Sequence, residues 1–219
     1  MAHFLDQLND AQRIAAEQTE GPVMVIAGAG SGKTRVLTFR IAYLLEKGVD
    51  AFNILSLTFT NKAAREMKSR IGNLVGDAEA KNLWMGTFHS VFARILRSEA
   101  EKLGYPTNFT IYDADDSKKV VANIIKEKQL DKDIYKTKSV ASRISSLKNN
   151  LITPKAYFQN GELQAQDSAA KMPMFGEIYQ AYAERCFRAG CMDFDDLLLK
   201  TNELMYRFPE VLAKYQNRF

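Results

Sequence analysis

Residues 27–34 read Ala-Gly-Ala-Gly-Ser-Gly-Lys-Thr, the stretch of this chain best suited to hold a chain of phosphates. Gly28, Gly30 and Gly32 can take backbone angles that turn N–H groups inward toward an anion, where a Cβ would collide or forbid the dihedral. Lys33 carries a point charge on a flexible stem, and Thr34 offers a hydroxyl to a hard cation such as Mg²⁺. The run follows an apolar, β-branched stretch at 23–28 and opens a segment of helical periodicity at 35–45. Strand, glycine-rich turn and helix in that order make a P-loop, with the positive end of the helix facing the anion. In this reading Ala27, Gly28, Ala29, Gly30, Ser31 and Gly32 form the cradle. Lys33 reaches the β- and γ-phosphates, and Thr34 holds the Mg²⁺ that accompanies the nucleotide. The first glycine of the G-x4-G-K-[ST] pattern is Ala27 here, so the inner glycines must supply the freedom. A P-loop specifies nucleotide binding and no more, because motors, kinases and GTPases share it.

The elements that must position this loop follow from periodicity. Phe4, Leu5, Leu8, Ala11, Ile14 and Ala15 recur at three- and four-residue steps, which predicts a helix over 4–18. Residues 23–28 and 54–60 read as buried strands, and 84–90 as a third strand or strand end. Residues 61–75 and 91–104 read as helices, the second stopped by Gly104. Strands alternating with helices predict an α/β fold with a parallel sheet. Beyond residue 105 helical patterns dominate, and the polar segment 158–173 reads as a loop.

Composition narrows the class. The chain has 219 residues, 46% of them hydrophobic, with a net charge of +4. No apolar run reaches the ~18 residues of a membrane span, and the polar start lacks the features of a secretory signal. Cys186 and Cys191 are too few for a disulfide framework and read as reduced thiols of an intracellular protein. Residues 118–155 hold ten Lys and Arg against three Asp and Glu, a local net of +7. Such a segment suits either a solvated face or a surface lying along DNA.

Beyond the P-loop, several segments resemble one family, the UvrD/Rep/PcrA-like superfamily-one DNA helicases. Leu-Asn-Asp-Ala-Gln-Arg at 8–13 is similar to the family's L-N-x-x-Q motif, TFTNKAA at 58–64 to its motif Ia, and GTFHS at 86–90 to its motif Ib. MDFDDLL at 192–198 resembles the segment that leads the chain back into the first motor domain. The resemblance implies that Gln12 reads the adenine of ATP, which suits an amide carrying both donors and an acceptor. It implies that Arg35 flanks the adenine ring. It implies that Thr58, Phe59, Thr60, Asn61 and Lys62, with Thr87, Phe88 and His89, touch single-stranded DNA. Taken singly, Gln12 also suits a solvated helix position, Arg35 a plain surface, and Phe59 a core site with Asn61 as helix N-cap. Asp193 reads as an N-cap followed by acidic first-turn residues rather than as a metal ligand.

The implied architecture is a RecA-like P-loop sheet, incomplete here, carrying an inserted, mainly helical subdomain. Residues 1–89 would start subdomain 1A, 90–190 would form subdomain 1B, and 191–219 would return to 1A. The implied partners are ATP with Mg²⁺, single-stranded DNA and its junctions with duplex, and the remaining helicase domains. The implied location is the cytoplasm, at the nucleoid. The family follows a segment like YQNRF with a strand ending in Asp-Glu. Here the nearest substitute, FTIYDADD at 109–116, is broken by Thr110 and lacks the Glu. The expectation is a 3′→5′ translocase in the whole protein and a catalytically incomplete piece here. A small P-loop kinase fits less well, since motifs Ia and Ib have no task in one. A non-catalytic ATP- or DNA-binding module is the other alternative.

Overall fold

The computed structural model describes residues 3–219. It is a mixed α/β structure of two compact units: residues 1–91 with 213–219, and residues 92–212.

In the first unit, a 3₁₀ turn (Phe4–Gln7) precedes α1 (Asp10–Glu17), and α2 spans Lys33–Glu46. The expected helix over 4–18 is thus broken at Asn9, whose side chain caps α1 by accepting from the Gln12 N–H. Next come β1 (Leu55–Thr58), α3 (Asn61–Val75), α4 (Asp77–Asn82), β2 (Trp84–Thr87) and α5 (Phe88–Glu99), which runs on into the second unit. β1 and β2 pair in parallel, with Leu55 opposite Trp84 and Thr58 opposite Thr87. The crossover through α3 buries Met67 and Ile71 against Ile41, Ile54 and Leu83, which form the core behind the sheet. Trp84 also packs edge-on against Tyr215 and Phe219, with Arg218 over its ring.

One expected strand does not form. Residues 23–28 carry no sheet pairing, and Met24 and Ile26 are 83% and 87% exposed. Hydrophobicity predicted a buried strand, but a strand is a property of a pair, and no described strand pairs with this run. β2 also stops at Thr87, so Phe88 and His89 open a helix instead of ending a strand.

The second unit holds β3 (Thr110–Tyr112), α6 (Ala114–Glu127), α7 (Thr137–Asn149), α8 (Pro154–Phe158) and α9 (Gly161–Ala169). It continues with α10 (Phe175–Arg188), β4 (Cys191–Asp193), α11 (Phe194–Arg207) and α12 (Pro209–Gln216), the last of which crosses into the first unit. Asp113 caps α6 by accepting from the Asp115 and Asp116 N–H groups, which explains the acidic run at 113–116. The loop expected over 158–173 instead contains α9, capped by Asn160. Its Asp167 is buried and takes a forked pair of bonds from Arg143 and one from the Tyr157 hydroxyl.

The two compact units divide the chain after residues 91 and 212. β4 pairs in parallel with β3, so the Asp193 region stays with the helical unit, and the chain re-enters the first unit only at Ala213. A buried charge cluster supports that assignment. Lys148 is 2% exposed, with its Nζ 2.7 Å from Asp193 Oδ2 and 2.8 Å from Asp196 Oδ2. The Tyr182 hydroxyl donates to Asp193 at 2.6 Å. Asp193 and Asp196 also form the reciprocal capping box of α11, as the sequence suggested for Asp193. Burial opposes charge on all three groups. The two carboxylates outweigh it and raise the Lys148 pKa, Lys148 holds Asp193 low, and burial keeps Asp196 above the usual carboxylate range. Cys186 and Cys191 are free and buried, and burial pushes the Cys186 thiol up to about 12.

Candidate phosphate loop and nucleic-acid face

The glycine-rich loop closes against α2 through two left-handed residues, Gly30 at φ +77° and Gly32 at φ +86°. Only glycine takes those angles without strain, so both are required by the backbone itself. Gly28 has an ordinary φ and open space where a Cβ would sit, so its own geometry does not demand glycine. The Ser31 N–H and hydroxyl both donate to the Gly28 carbonyl, at 3.3 and 2.7 Å. Lys33 bends back over the loop, its Nζ 3.0 Å from the Ala27 carbonyl and 2.6 Å from that of Gly28. Two neutral carbonyls hold this ammonium, and a phosphate would offer it a stronger, charge-assisted partner. Thr34 lies exposed on the first turn of α2, and Ala29 is exposed at the loop tip. The first N–H groups of α2 have no side-chain cap, which leaves them available to an anion.

Gln12 reaches this loop from the segment before it, and Arg35, in the first turn of α2 after it, reaches back to that same segment. The Gln12 amide donates to the Ser31 carbonyl at 3.0 Å, and its oxygen accepts from the Asn9 N–H at 3.3 Å. Arg35 donates to the Gln7 carbonyl at 2.8 Å, with its guanidinium 5.5 Å from the centre of the buried Phe39 ring. Sequence reasoning did not single out Asn9 or the Gln7 carbonyl. The Asn-x-x-Gln spacing at 9–12 is a capping-box signature that pointed to the first of them.

The candidate DNA residues gather where both parallel strands end. Thr58 and Thr87 are register partners at the last positions of β1 and β2. In parallel sheets, the ends of adjacent strands are where ligands bind. Phe59, just past β1, is 89% exposed, which removes it from the core. Its ring lies 5.5 Å from that of Phe88, tilted by 40°. Thr60 is the N-cap of α3, its hydroxyl accepting from the Ala63 N–H at 3.1 Å, so Asn61 is the first helical residue and not the cap. Asn61 and Lys62 are exposed, and His89 is half-buried. Thr87 is buried, with its hydroxyl engaged by Ser90 at the start of α5.

The sequence profile of the UvrD/REP helicase N-terminal domain matches residues 8–219. The chain belongs to the UvrD/REP helicase family. It is 46% identical over 220 aligned residues to the ATP-dependent DNA helicase PcrA of Staphylococcus aureus and 45% identical to that of Staphylococcus epidermidis. Each alignment covers all of this chain and 29% of the relative's length. The loop at 27–34 and the strand ends at 58–62 and 87–89 each lead into a helix, and of their residues only Thr87 is buried.

Proposed function

We propose that this chain is the ATP-binding part of a DNA helicase that couples ATP hydrolysis to 3′→5′ movement on single-stranded DNA and to unwinding at junctions with duplex. The first unit would be subdomain 1A, with the RecA-like P-loop architecture, and the second the inserted subdomain 1B. The observation that carries the reading is the loop at the head of α2. Two left-handed glycines, an uncapped helix start and Lys33 folded over the loop form a cradle that fits a Mg²⁺–triphosphate. Within it Lys33 would bind the β- and γ-phosphates and Thr34 would meet the Mg²⁺, which neutralises charge on the transferred phosphate when bound.

The strand ends would form the floor of the DNA path. Phe59 offers a ring to any base, whatever its identity, while Thr60, Asn61, Lys62 and His89 offer polar contacts to the backbone. The exposed lysines at 118–138, on and around α6 and α7, would add sequence-independent attraction to phosphates, while Lys148 and Arg143 are engaged by buried aspartates. The reading places the protein at the nucleoid in the cytoplasm, with further helicase domains completing the ATP site.

Lys33→Ala tests the cradle. Its affinity for Mg²⁺–ATP, measured by calorimetry, should fall at least tenfold, since a charge-assisted contact to phosphate contributes about 1.5–3 kcal/mol. Undiminished binding would remove the basis of the motor assignment.

A further inference from the structure

We propose that Gln12 is a positioning residue for the phosphate loop, acting through its bond to the Ser31 carbonyl and so on the phosphate tail as well as on a base. The proposal rests on the nucleotide reading of that loop. Within the loop, the bonds from Ser31 and Lys33 back to Ala27 and Gly28 tie it to itself. Two side-chain bonds tie the loop and the first turn of α2 to the residues before them. Gln12 holds the Ser31 carbonyl at 3.0 Å, and Arg35 at the base of α2 holds the Gln7 carbonyl at 2.8 Å. Both lead to the short stretch 7–12. The Gln12 side chain is itself pinned there, because its oxygen accepts from the Asn9 N–H while the Gln12 N–H donates to Asn9 Oδ1 at 2.9 Å.

The effect on the loop follows from peptide geometry. Ser31 sits between Gly30 and Gly32, the two left-handed residues, where the backbone is least constrained. In a planar trans peptide the C=O and the following N–H point in opposite directions. A carbonyl anchored to Gln12 therefore aims the Gly32 N–H away from Gln12. Successive N–H groups aimed alike are what bind an anion in such a loop. The contact is also closed sterically, since a Cβ on Gly32 would lie 2.8 Å from Gln12 Nε2. One amide hydrogen and one oxygen lone pair of Gln12 remain, so bracing the loop and reading a base are compatible.

The test uses the 219-residue chain and a probe that has no base, Mg²⁺ with inorganic tripolyphosphate, beside Mg²⁺–ATP. Gln12→Met keeps the length of the side chain and removes the donor. Asn9→Ala weakens the same helix start but leaves the Gln12–Ser31 contact. Gln12→Met should bind tripolyphosphate about three- to tenfold more weakly, the worth of one net hydrogen bond. It should also exchange the amides of residues 31–33 faster than the unaltered chain. Asn9→Ala should stay within about twofold on the same scale. A Gln12→Met chain that loses ATP affinity yet holds tripolyphosphate and its amides unchanged would show that Gln12 serves the base alone, and the brace would be refuted. If the unaltered chain bound neither probe, the nucleotide reading would fall. The exchange comparison needs no ligand and would still decide whether Gln12 orders the loop.

Discussion

Replacing Lys148 with Met tests whether the second unit depends on its buried charge. The change keeps the bulk of the side chain and removes the ammonium that lies 2.7 and 2.8 Å from the carboxylates of Asp193 and Asp196. The Tyr182 hydroxyl and the backbone of the capping box remain as partners, and they leave two like charges buried side by side. Breaking such a pair from one side typically destabilises by about 3–5 kcal/mol. The loss should itself depend on pH. Without Lys148, burial and mutual repulsion raise the folded-state pKa of this carboxyl pair above its unfolded value. The folded variant then holds an extra proton between those two values, so its stability falls as pH rises across the window. Urea denaturation at pH 5 and pH 8 should therefore show a larger deficit at pH 8. Adding Asp193→Asn and Asp196→Asn should recover much of it, because no uncompensated charge is left. A single variant within about 1 kcal/mol of the parent at both pH values, below the range for a buried ion pair, would refute the reasoning.

Two further outcomes follow from exposure and titration. Phe59→Ala should weaken single-stranded DNA binding by about 1–3 kcal/mol in fluorescence titrations with homopolymers of any base, the worth of one stacked base; an effect confined to one base would argue for specific readout. Burial raises the pKa values of Tyr105, Tyr157, Tyr179 and Tyr182, all in the second unit. Their contribution is complete below the unfolded tyrosine pKa near ~10 and is lost as pH rises beyond it. Thermal scans should accordingly show the second unit melting earlier with each step above about pH 10, and a flat profile there would contradict the assigned burial.

Much of the first unit was legible because its signals are local. The apolar run at 54–60 and the helix at 61–75 were readable because the run ends at a polar cap, although the capping residue is Thr60 and not Asn61. The turn at 27–34 was readable because two of its glycines are needed for backbone angles that other residues resist. What sequence could not supply was pairing at a distance. Residues 23–28 have the composition of a strand and no partner edge. Lys148 sits in a run of lysines that suggests a solvated face, yet its partners lie 45 or more residues away on another element. The bond from Arg35 to the Gln7 carbonyl, a separation of 28 residues, likewise has no local signal. The polar stretch at 161–169 hid a helix because its one strongly inward polar group, Asp167, is satisfied by Arg143 and Tyr157 rather than by water.

The packing of Trp84 has a consequence for the order in which the protein is made. Its ring rests on Tyr215, Arg218 and Phe219, which leave the ribosome only after the whole of residues 92–212. At ~5–20 residues per second, translation delays that closure by roughly 6–25 s. Over that interval the helical unit is made as an uninterrupted stretch, while the first unit waits without the residues that pack on this indole. A released chain ending at residue 212 should therefore resist protease over 92–212 and yield in its earlier part.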